Sequence, residues 1–150
     1  MRLFSTPVWA IAVGCLLLNA GSAVAEPRFA QVEGGQVAYE TCGSGSRALV
    51  LLHDGILDSS AYDGVWSRLC RTFTVVRYDR RGYGASPAAS APYDPVTDLS
   101  GVMQAAGLER ATLVGSSAGG GVAVEFALGH AEAGDGLVLV GAARNGFRPA

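Results

Sequence analysis

Lysine is absent from this chain of 150 residues, and all 11 basic residues are arginine. The absence excludes a lysine nucleophile, a Schiff base and the lysine of a phosphate-binding loop. Histidine is scarce as well, since only His53 and His130 occur. The net charge of −2 and the lack of a basic patch are unlike a nucleic-acid-binding protein. We therefore expect no nucleic-acid partner.

The first 25 residues have the pattern of a secretory signal peptide. Arg2 supplies the positive start, residues 8–18 are apolar, and an A-x-A cleavage site occupies residues 23–25. An uncleaved membrane anchor is the alternative, but the apolar stretch is short for a membrane span. The sequence thus predicts a secreted or periplasmic mature chain of residues 26–150, with no stable membrane association after cleavage.

Cysteine is almost as rare as histidine, and the predicted mature chain holds only Cys42 and Cys70. In an oxidising compartment these two residues can form a disulfide. Two unpaired cysteines in the core fit the sequence equally well, because spacing along a chain does not show proximity. Both alternatives stay open at this point.

Several hydrophobic segments of the sequence have the pattern of β-strands. Residues 28–33 and 36–41 alternate around Gly34-Gly35 and predict a β-hairpin with a two-residue turn. A continuous apolar run of strand length at residues 48–52 is typical of a strand buried on both faces. Further strands are predicted at residues 73–78, 111–114 and 137–140.

Helix signals separate these runs. Asp58 or Ser59 can cap a first helix, and Asp94-Pro95 opens a second one that Gly107 ends. The helix after residue 117 is apolar nearly all round, which predicts that it is buried. The alternation indicates an α/β domain with a mostly parallel sheet and a leading antiparallel β-hairpin.

The segment at residues 111–121 (ATLVGSSAGGG) carries the strongest functional signal. Gly115, Ser117 and Gly119 form a G-x-S-x-G pattern between a strand and a helix, which is typical of a serine nucleophile held on a sharp turn. Side chains at the two glycines would collide with neighbouring backbone in such a turn. A helix-capping role for Ser117 is the alternative, and Ser116 is the poorer nucleophile candidate because its flanks do not fit.

Three segments follow strand ends and are expected to meet, because ligands of parallel sheets bind beyond the carboxyl ends of the strands. They are His53-Asp54-Gly55, residues 79–86 and Ser117. Acyl transfer needs a nucleophile and donors for the oxyanion. We expect Ser117 to be the nucleophile, with the N–H groups of Ala118 and Gly55 as oxyanion donors.

Residues 51–55 (LLHDG), 78–86 (YDRRGYGAS) and 113–120 (LVGSSAGG) resemble three successive signatures of the α/β-hydrolase superfamily. The resemblance runs from about Phe29 to the last residue, and the sequence is similar to the esterase, lactonase and enol-lactonase-like members, which use no cofactor. It implies that the residue after the His-Gly pair and the residue after the nucleophile form the oxyanion hole. Here the pair reads His53-Asp54, which departs from the family pattern.

The resemblance also implies an acid and a catalytic histidine after strands seven and eight, whereas this sequence ends after about strand six. We therefore expect a truncated α/β-hydrolase fold, in which residues 26–150 are the amino-terminal portion without the lid, acid and histidine segments. The family uses the residue at His53 structurally. His130 ends the helix that leads away from Ser117, roughly 15 Å from it at 1.5 Å per residue. Neither histidine is expected to be the base.

Weaker signals point to other roles. Asp79, Arg80 and Arg81 can be interpreted as substrate-binding charges, but a loop that supports the nucleophile turn is the preferred interpretation. Glu125 and His130 are too few to indicate a metal site, so none is expected. No strand–helix turn supplies the G-x-G-x-x-G of a dinucleotide site.

Two functions are compatible with the sequence. The first is an exported serine hydrolase that acts on a small-molecule carboxylic ester or lactone through an acyl-enzyme on Ser117, without a cofactor. The alternative is a non-catalytic, truncated or degenerate hydrolase-fold module. The missing acid and base are what keep this alternative open.

Overall fold

A mixed six-stranded sheet forms the centre of the computed structural model, which describes residues 27–142. The predicted signal peptide at residues 1–25 lies outside the described residues. In chain order the elements are β1 (Arg28–Val32), β2 (Gly35–Cys42), β3 (Ala48–Leu52), α1 (Asp63–Cys70), β4 (Thr74–Tyr78), α2 (Pro95–Ala105), β5 (Ala111–Ser116), α3 (Ala118–Gly129) and β6 (Gly134–Val140).

The strands lie in the order β1-β2-β4-β3-β5-β6. The β1–β2 hairpin is antiparallel and β2 pairs antiparallel with β4, whereas β4, β3, β5 and β6 run parallel to one another. The prediction of an α/β domain with a mostly parallel sheet and a leading hairpin is confirmed. In this order the carboxyl ends of β3 and β5 are adjacent, which brings the segments that follow them to one edge of the sheet.

The hairpin turn differs from its predicted position by one residue. Val32 pairs with Gly35, so the two turn residues are Glu33 and Gly34 rather than the two glycines. Gly34 has φ 67°, a left-handed conformation that tight hairpin turns require and glycine adopts freely. Gly35 is therefore free to begin β2.

Capping residues set the helix ends close to where the sequence predicts them. Asp58 accepts the N–H of Ser60 at 2.9 Å, but it caps a 3-10 turn (Ser59–Tyr62) that precedes α1. Asp94 accepts the N–H of Val96 at 2.9 Å at the start of α2. Gly107, with φ 71°, follows that helix in the left-handed conformation of a glycine C-cap.

One hydrophobic core fills the space between the sheet and the pair α2 and α3. It includes Leu52, Tyr78 and Leu113 from the strands and Val102 and Phe126 from the helices. Side chains alternate across a strand, so the neighbours of these strand residues point to the opposite face, which α1 covers. Helices therefore lie on both faces of the sheet, and its carboxyl edge is left for the candidate site.

The prediction that α3 is buried nearly all round is only partly met. Val122, Ala123 and Phe126 are buried, but Leu128 is 67% exposed. Among the described elements α3 contacts β3, β5, β6, α2 and the 3-10 turn (Ala131–Ala133) that follows it. The outer stripe of the helix is therefore uncovered within residues 27–142.

Strand β6 is the edge of the described sheet, and its apolar side chains are accessible on both faces. Leu137, Val138, Leu139 and Val140 are 41–59% exposed. Since β6 pairs only with β5 among the described strands, its other edge presents free backbone donors and acceptors. Such an edge can pair with a further strand.

Cys42 and Cys70 form a disulfide, so the first of the two alternatives is correct. Their Cα atoms lie 5.4 Å apart, within the usual range for such a bond. The bond joins the end of β2 to the end of α1 at a sequence separation of 28. The closed loop contains β3, residues 53–58 and α1.

Candidate active site

Ser117 lies at the junction where β5 ends and α3 begins, with φ 48° and ψ −113°. It is the one non-glycine residue with positive φ among residues 27–142. Such a conformation costs about 1–3 kcal/mol and persists only where its surroundings hold it. Here the N–H of Ser117 donates to the Val140 carbonyl at 2.9 Å, and its carbonyl accepts the N–H of Gly121 at 3.1 Å. The side chain is exposed and makes no capping hydrogen bond.

The glycines around Ser117 are sterically required. A Cβ on Gly115 would lie 2.5 Å from the Cα of Gly120, and a Cβ on Gly119 would lie 2.3 Å from the carbonyl oxygen of Leu52. Both distances are too short for real contacts, and in both cases the obstacle is backbone. Only glycine lets the turn approach β3 this closely.

Gly55 and Ala118, the two expected oxyanion donors, are neighbours. A Cβ built on Gly55 would lie 3.6 Å from the Cβ of Ala118. Ala118 is the first residue of α3, where N–H groups have no acceptor within the helix and the helix dipole favours negative charge. The arrangement can therefore present two backbone N–H groups beside the Ser117 hydroxyl.

Asp54 occupies the position where the family pattern has glycine, and its carboxylate is tied into its own loop. Oδ1 accepts the N–H of Ile56 at 2.6 Å and that of Leu57 at 2.8 Å. These two hydrogen bonds, that of Leu57 foremost, lower the pKa of Asp54 below its usual value. The Asp54 carboxylate thus closes a tight turn that contains Gly55.

His53 is fully buried and uses both ring nitrogens within the fold. Its Nε2 accepts the N–H of Arg80 at 2.9 Å, so Nδ1 carries the proton and donates to the Asp54 carbonyl at 2.7 Å. Burial, followed by the charge of Arg80, lowers the pKa of His53. This imidazole is neutral and already engaged, which leaves it no role as a base for Ser117.

His130 lies beyond the far end of α3. The 12 residues of the helix, at 1.5 Å each, separate it from Ser117 by roughly 18 Å. The ring packs 4.7 Å from that of Phe126, and Nδ1 lies 3.8 Å from a carboxylate oxygen of Glu132. Neither histidine of the sequence can therefore take the proton of Ser117.

The loop at residues 79–86 supports the segment that follows β3. The Asp79 carboxylate accepts the N–H of Ser59 at 2.9 Å and that of Ala85 at 2.8 Å. Ser86 donates its hydroxyl to the Asp79 carbonyl at 2.6 Å. These contacts give the loop a supporting role, but for the segment that follows β3 rather than for the turn at Ser117. The Asp79 carboxylate is buried and used by backbone donors rather than open to a substrate.

Arg81 makes a buried bidentate ion pair with Asp98, at 2.8 and 2.7 Å. The same guanidinium donates to the carbonyls of Glu33 and Gly34. The pair ties the loop after β4 to α2 and to the hairpin turn. It also lines a cavity of about 430 Å³ beside Tyr93, whose lining includes none of the three expected site residues.

Two tyrosines at the site have contacts that sequence patterns do not reveal. The Tyr62 hydroxyl lies 2.9 Å from the carbonyl of Leu52, the last residue of β3, and 3.3 Å from that of Val114, which lies within β5. Its burial raises the pKa of Tyr62 to about 12. The Tyr83 hydroxyl donates to the carbonyl of Gly55 at 2.9 Å. The position of Tyr83 after Gly82, in a loop at a strand end, is the one signal that could have pointed to it.

Within residues 27–142 no three side chains of His, Cys, Asp or Glu are grouped to hold a metal ion. In the same part of the chain, no helix has the length and hydrophobicity needed to cross a membrane.

Comparison with known proteins gives one consistent result. Residues 49–150 match the model of the Alpha/beta hydrolase family. An uncharacterised protein of Mycobacterium tuberculosis is 38% identical over 77% of this chain and 34% of its own length. The pimeloyl-[acyl-carrier protein] methyl ester esterase of Edwardsiella ictaluri is 35% identical over 68% of this chain and 39% of its own.

A solved structure agrees with these sequence matches. The crystal structure of an esterase from Rhodococcus sp. ECU1013 superposes with a TM-score of 0.71 at 32% identity, over 77% of this chain and 46% of the esterase. The chain thus spans about a third to two fifths of the length of these curated relatives and just under half of this structure.

Proposed function

The chain belongs to the alpha/beta hydrolase family, and on this premise we propose that it is the nucleophile-bearing part of an exported serine hydrolase. The substrate is a small-molecule carboxylic ester or lactone. One observation carries the proposal: an exposed serine with φ 48° stands at the start of α3, where Gly55 and Ala118 lie side by side. The esterases among its relatives support an ester bond as the target.

The proposed chemistry is acyl transfer in two steps. Oγ of Ser117 attacks the substrate carbonyl carbon while a base takes the hydroxyl proton. The N–H groups of Gly55 and Ala118 stabilise the oxyanion. When the tetrahedral intermediate collapses, the bond to the leaving alcohol breaks and the alcohol receives the proton. Water then releases the acid and frees Ser117. Since His53 and His130 cannot be the base, we propose that it is supplied from outside residues 1–150.

A serine-directed fluorophosphonate tests the nucleophile. The protein as its own gene encodes it should be labelled, and Ser117→Ala should abolish the labelling. Ser116→Ala is the matched control and should retain it, because this neighbour lies in β5. Labelling that persists in Ser117→Ala would refute the assignment.

Export is part of the proposal, and two features support it. The leader pattern at residues 1–25 favours cleavage before Glu26, and a disulfide such as Cys42–Cys70 persists in oxidising compartments. Amino-terminal sequencing of the protein from the periplasm or medium should begin at Glu26. A start at Met1 in the membrane fraction would instead favour an anchor.

A non-catalytic module is the second candidate, favoured by the absence of a usable histidine in the sequence. Residues 26–150 alone should not turn over a p-nitrophenyl ester, because loss of a triad member costs roughly a million-fold in a serine protease. The protein as its gene encodes it should do so if it is a hydrolase. Absence of Ser117-dependent turnover in that protein would favour the module.

A further inference from the structure

The peptide group between Asp54 and Gly55 is held from one side only. Its carbonyl oxygen accepts a hydrogen bond from the Arg80 guanidinium and another from Nδ1 of His53. The peptide is trans, as are all those described, so its N–H points away from its carbonyl. Fixing the carbonyl of Asp54 therefore fixes the direction of the Gly55 N–H, which has no hydrogen-bond partner among the described residues.

The neighbouring peptide groups are fixed as well. The Gly55 carbonyl accepts the Tyr83 hydroxyl at 2.9 Å, and the N–H of Ile56 is bound by the Asp54 carboxylate. Arg80 and Tyr83 both belong to the loop after β4, and the Arg80 guanidinium lies 5.0 Å from the centre of the Tyr83 ring. Among the backbone N–H and carbonyl groups of the Asp54–Gly55 and Gly55–Ile56 peptides, the Gly55 N–H is the one that has no partner in residues 27–142.

From this geometry we propose that Arg80 is a positioning residue of the oxyanion hole, acting through the Asp54–Gly55 peptide. The inference rests on the proposed function. A cation on the carbonyl polarises the peptide and makes the N–H at its other end a stronger donor, because hydrogen bonds in a chain reinforce one another. The positive charge also offsets the Asp54 carboxylate, which would otherwise oppose an oxyanion nearby.

Stability alone does not account for this use of Arg80. Its Nε is buried with no hydrogen-bond partner among the described residues, and an unsatisfied buried donor is costly. The guanidinium packs over the Tyr83 ring, and the Asp54 carbonyl is its one hydrogen-bond acceptor among the described residues. A functional requirement on that carbonyl explains the arrangement.

The test uses Arg80→Met and Arg80→Lys in the protein as its own gene encodes it. Removal of a whole oxyanion donor costs about 100–1,000-fold in kcat. We expect Arg80→Met to lose roughly 10–100-fold in kcat with KM changed less than about threefold, since the donor is misdirected rather than removed. Arg80→Lys should recover most of the loss, because it retains the charge and one donor.

Amide hydrogen exchange provides a readout that does not depend on turnover. The amides of Ile56 and Leu57 should exchange faster in Arg80→Met than in the wild type. Arg68→Met, which removes a charge from the exposed surface of α1, is the control and should leave kcat and this exchange unchanged. Tyr83→Phe removes only the hydroxyl on Gly55 and should lower kcat by about 3–10-fold, which keeps the test decisive if Arg80→Met folds poorly.

The outcomes separate the two proposals. Absence of Ser117-dependent turnover in the wild type overturns the proposed function and with it the oxyanion role. Wild-type turnover combined with unchanged kcat and unchanged loop exchange in Arg80→Met overturns the role of Arg80 alone. A loss that appears in KM rather than kcat also overturns it, because an oxyanion donor acts in the transition state.

Discussion

Replacement of Ser117 by glycine should make the protein more stable, although it removes the proposed nucleophile. The serine has φ 48° and ψ −113°, a conformation that L-residues rarely adopt and glycine adopts freely. Alanine keeps a Cβ and therefore keeps the strain. Ser117→Gly should consequently be more stable than Ser117→Ala, even though both variants lose the hydroxyl.

The size of the effect follows from two opposing contributions. Backbone strain of this kind costs about 1–3 kcal/mol. Glycine offsets about 0.5–1 kcal/mol of the gain from relieving this strain, because it gives the unfolded chain more conformational freedom. The net gain over alanine is about 1 kcal/mol, which corresponds to roughly 4 °C in Tm for a domain of this size.

Thermal and urea unfolding of the two variants measure the difference. Ser100→Gly and Ser100→Ala are the matched control pair, because Ser100 lies inside α2, where glycine is less stable than alanine by about 1 kcal/mol. If Ser117→Gly is no more stable than Ser117→Ala, the turn is not strained and the reasoning about its geometry is wrong.

Three further predictions concern the surroundings of the site. Gly119→Ala should lower the free energy of unfolding, measured with urea, by about 2–3 kcal/mol, because its Cβ would lie 2.3 Å from a backbone oxygen. The control Gly64→Ala, with open space around it, should raise this free energy by about 0.5–1 kcal/mol. Equal effects of the two substitutions would contradict the steric argument. Reduction of the disulfide should lower the free energy of unfolding by about 3–4 kcal/mol for a loop of this length. The double variant Cys42→Ser with Cys70→Ser should have a stability that dithiothreitol does not change. If dithiothreitol does not change the stability of the wild-type protein either, the bond does not contribute. Burial lowers the pKa of His53 below its ordinary 6.5, so as the pH drops the unfolded chain takes up a proton before the folded one does, and stability should fall as the pH drops through about 6.5. His53→Asn should weaken the dependence of the urea midpoint on pH. If the dependence is unchanged in this variant, it arises from other groups.

The sheet could be predicted from the sequence because its strands have recognisable hydrophobic patterns. The run at residues 48–52 is continuous and apolar, and residues 111–114 are apolar apart from Thr112, which suits strands buried between two layers of helices. Parallel strands also bring their carboxyl ends to one edge. For that reason the neighbouring positions of Gly55 and Ala118 follow from pattern alone. The pattern places the hairpin turn one residue too late, because either pair of residues around Gly34 can form a turn of that length.

Contacts between distant side chains could not be predicted. The sequence leaves Cys42 and Cys70 undecided, since their pairing depends on how β2 and α1 approach each other. It likewise shows Asp54 only as a departure from a family pattern. That its carboxylate closes a turn while its carbonyl binds Arg80 depends on the path of the loop after β4. Periodicity describes faces of helices and strands, and it carries no information about such loops.

The hydrogen bond from Ser117 to Val140 makes the nucleophile turn dependent on the edge of the sheet. Its N–H is held by the last residue of β6, whose side chains are about half exposed. Edge segments with few buried contacts open at a free energy well below that of global unfolding. Each such opening would free the N–H of Ser117 and let its backbone relax to an unstrained conformation. A molecule or segment that pairs with the free edge of β6 would therefore prolong the lifetime of the strained serine without touching it.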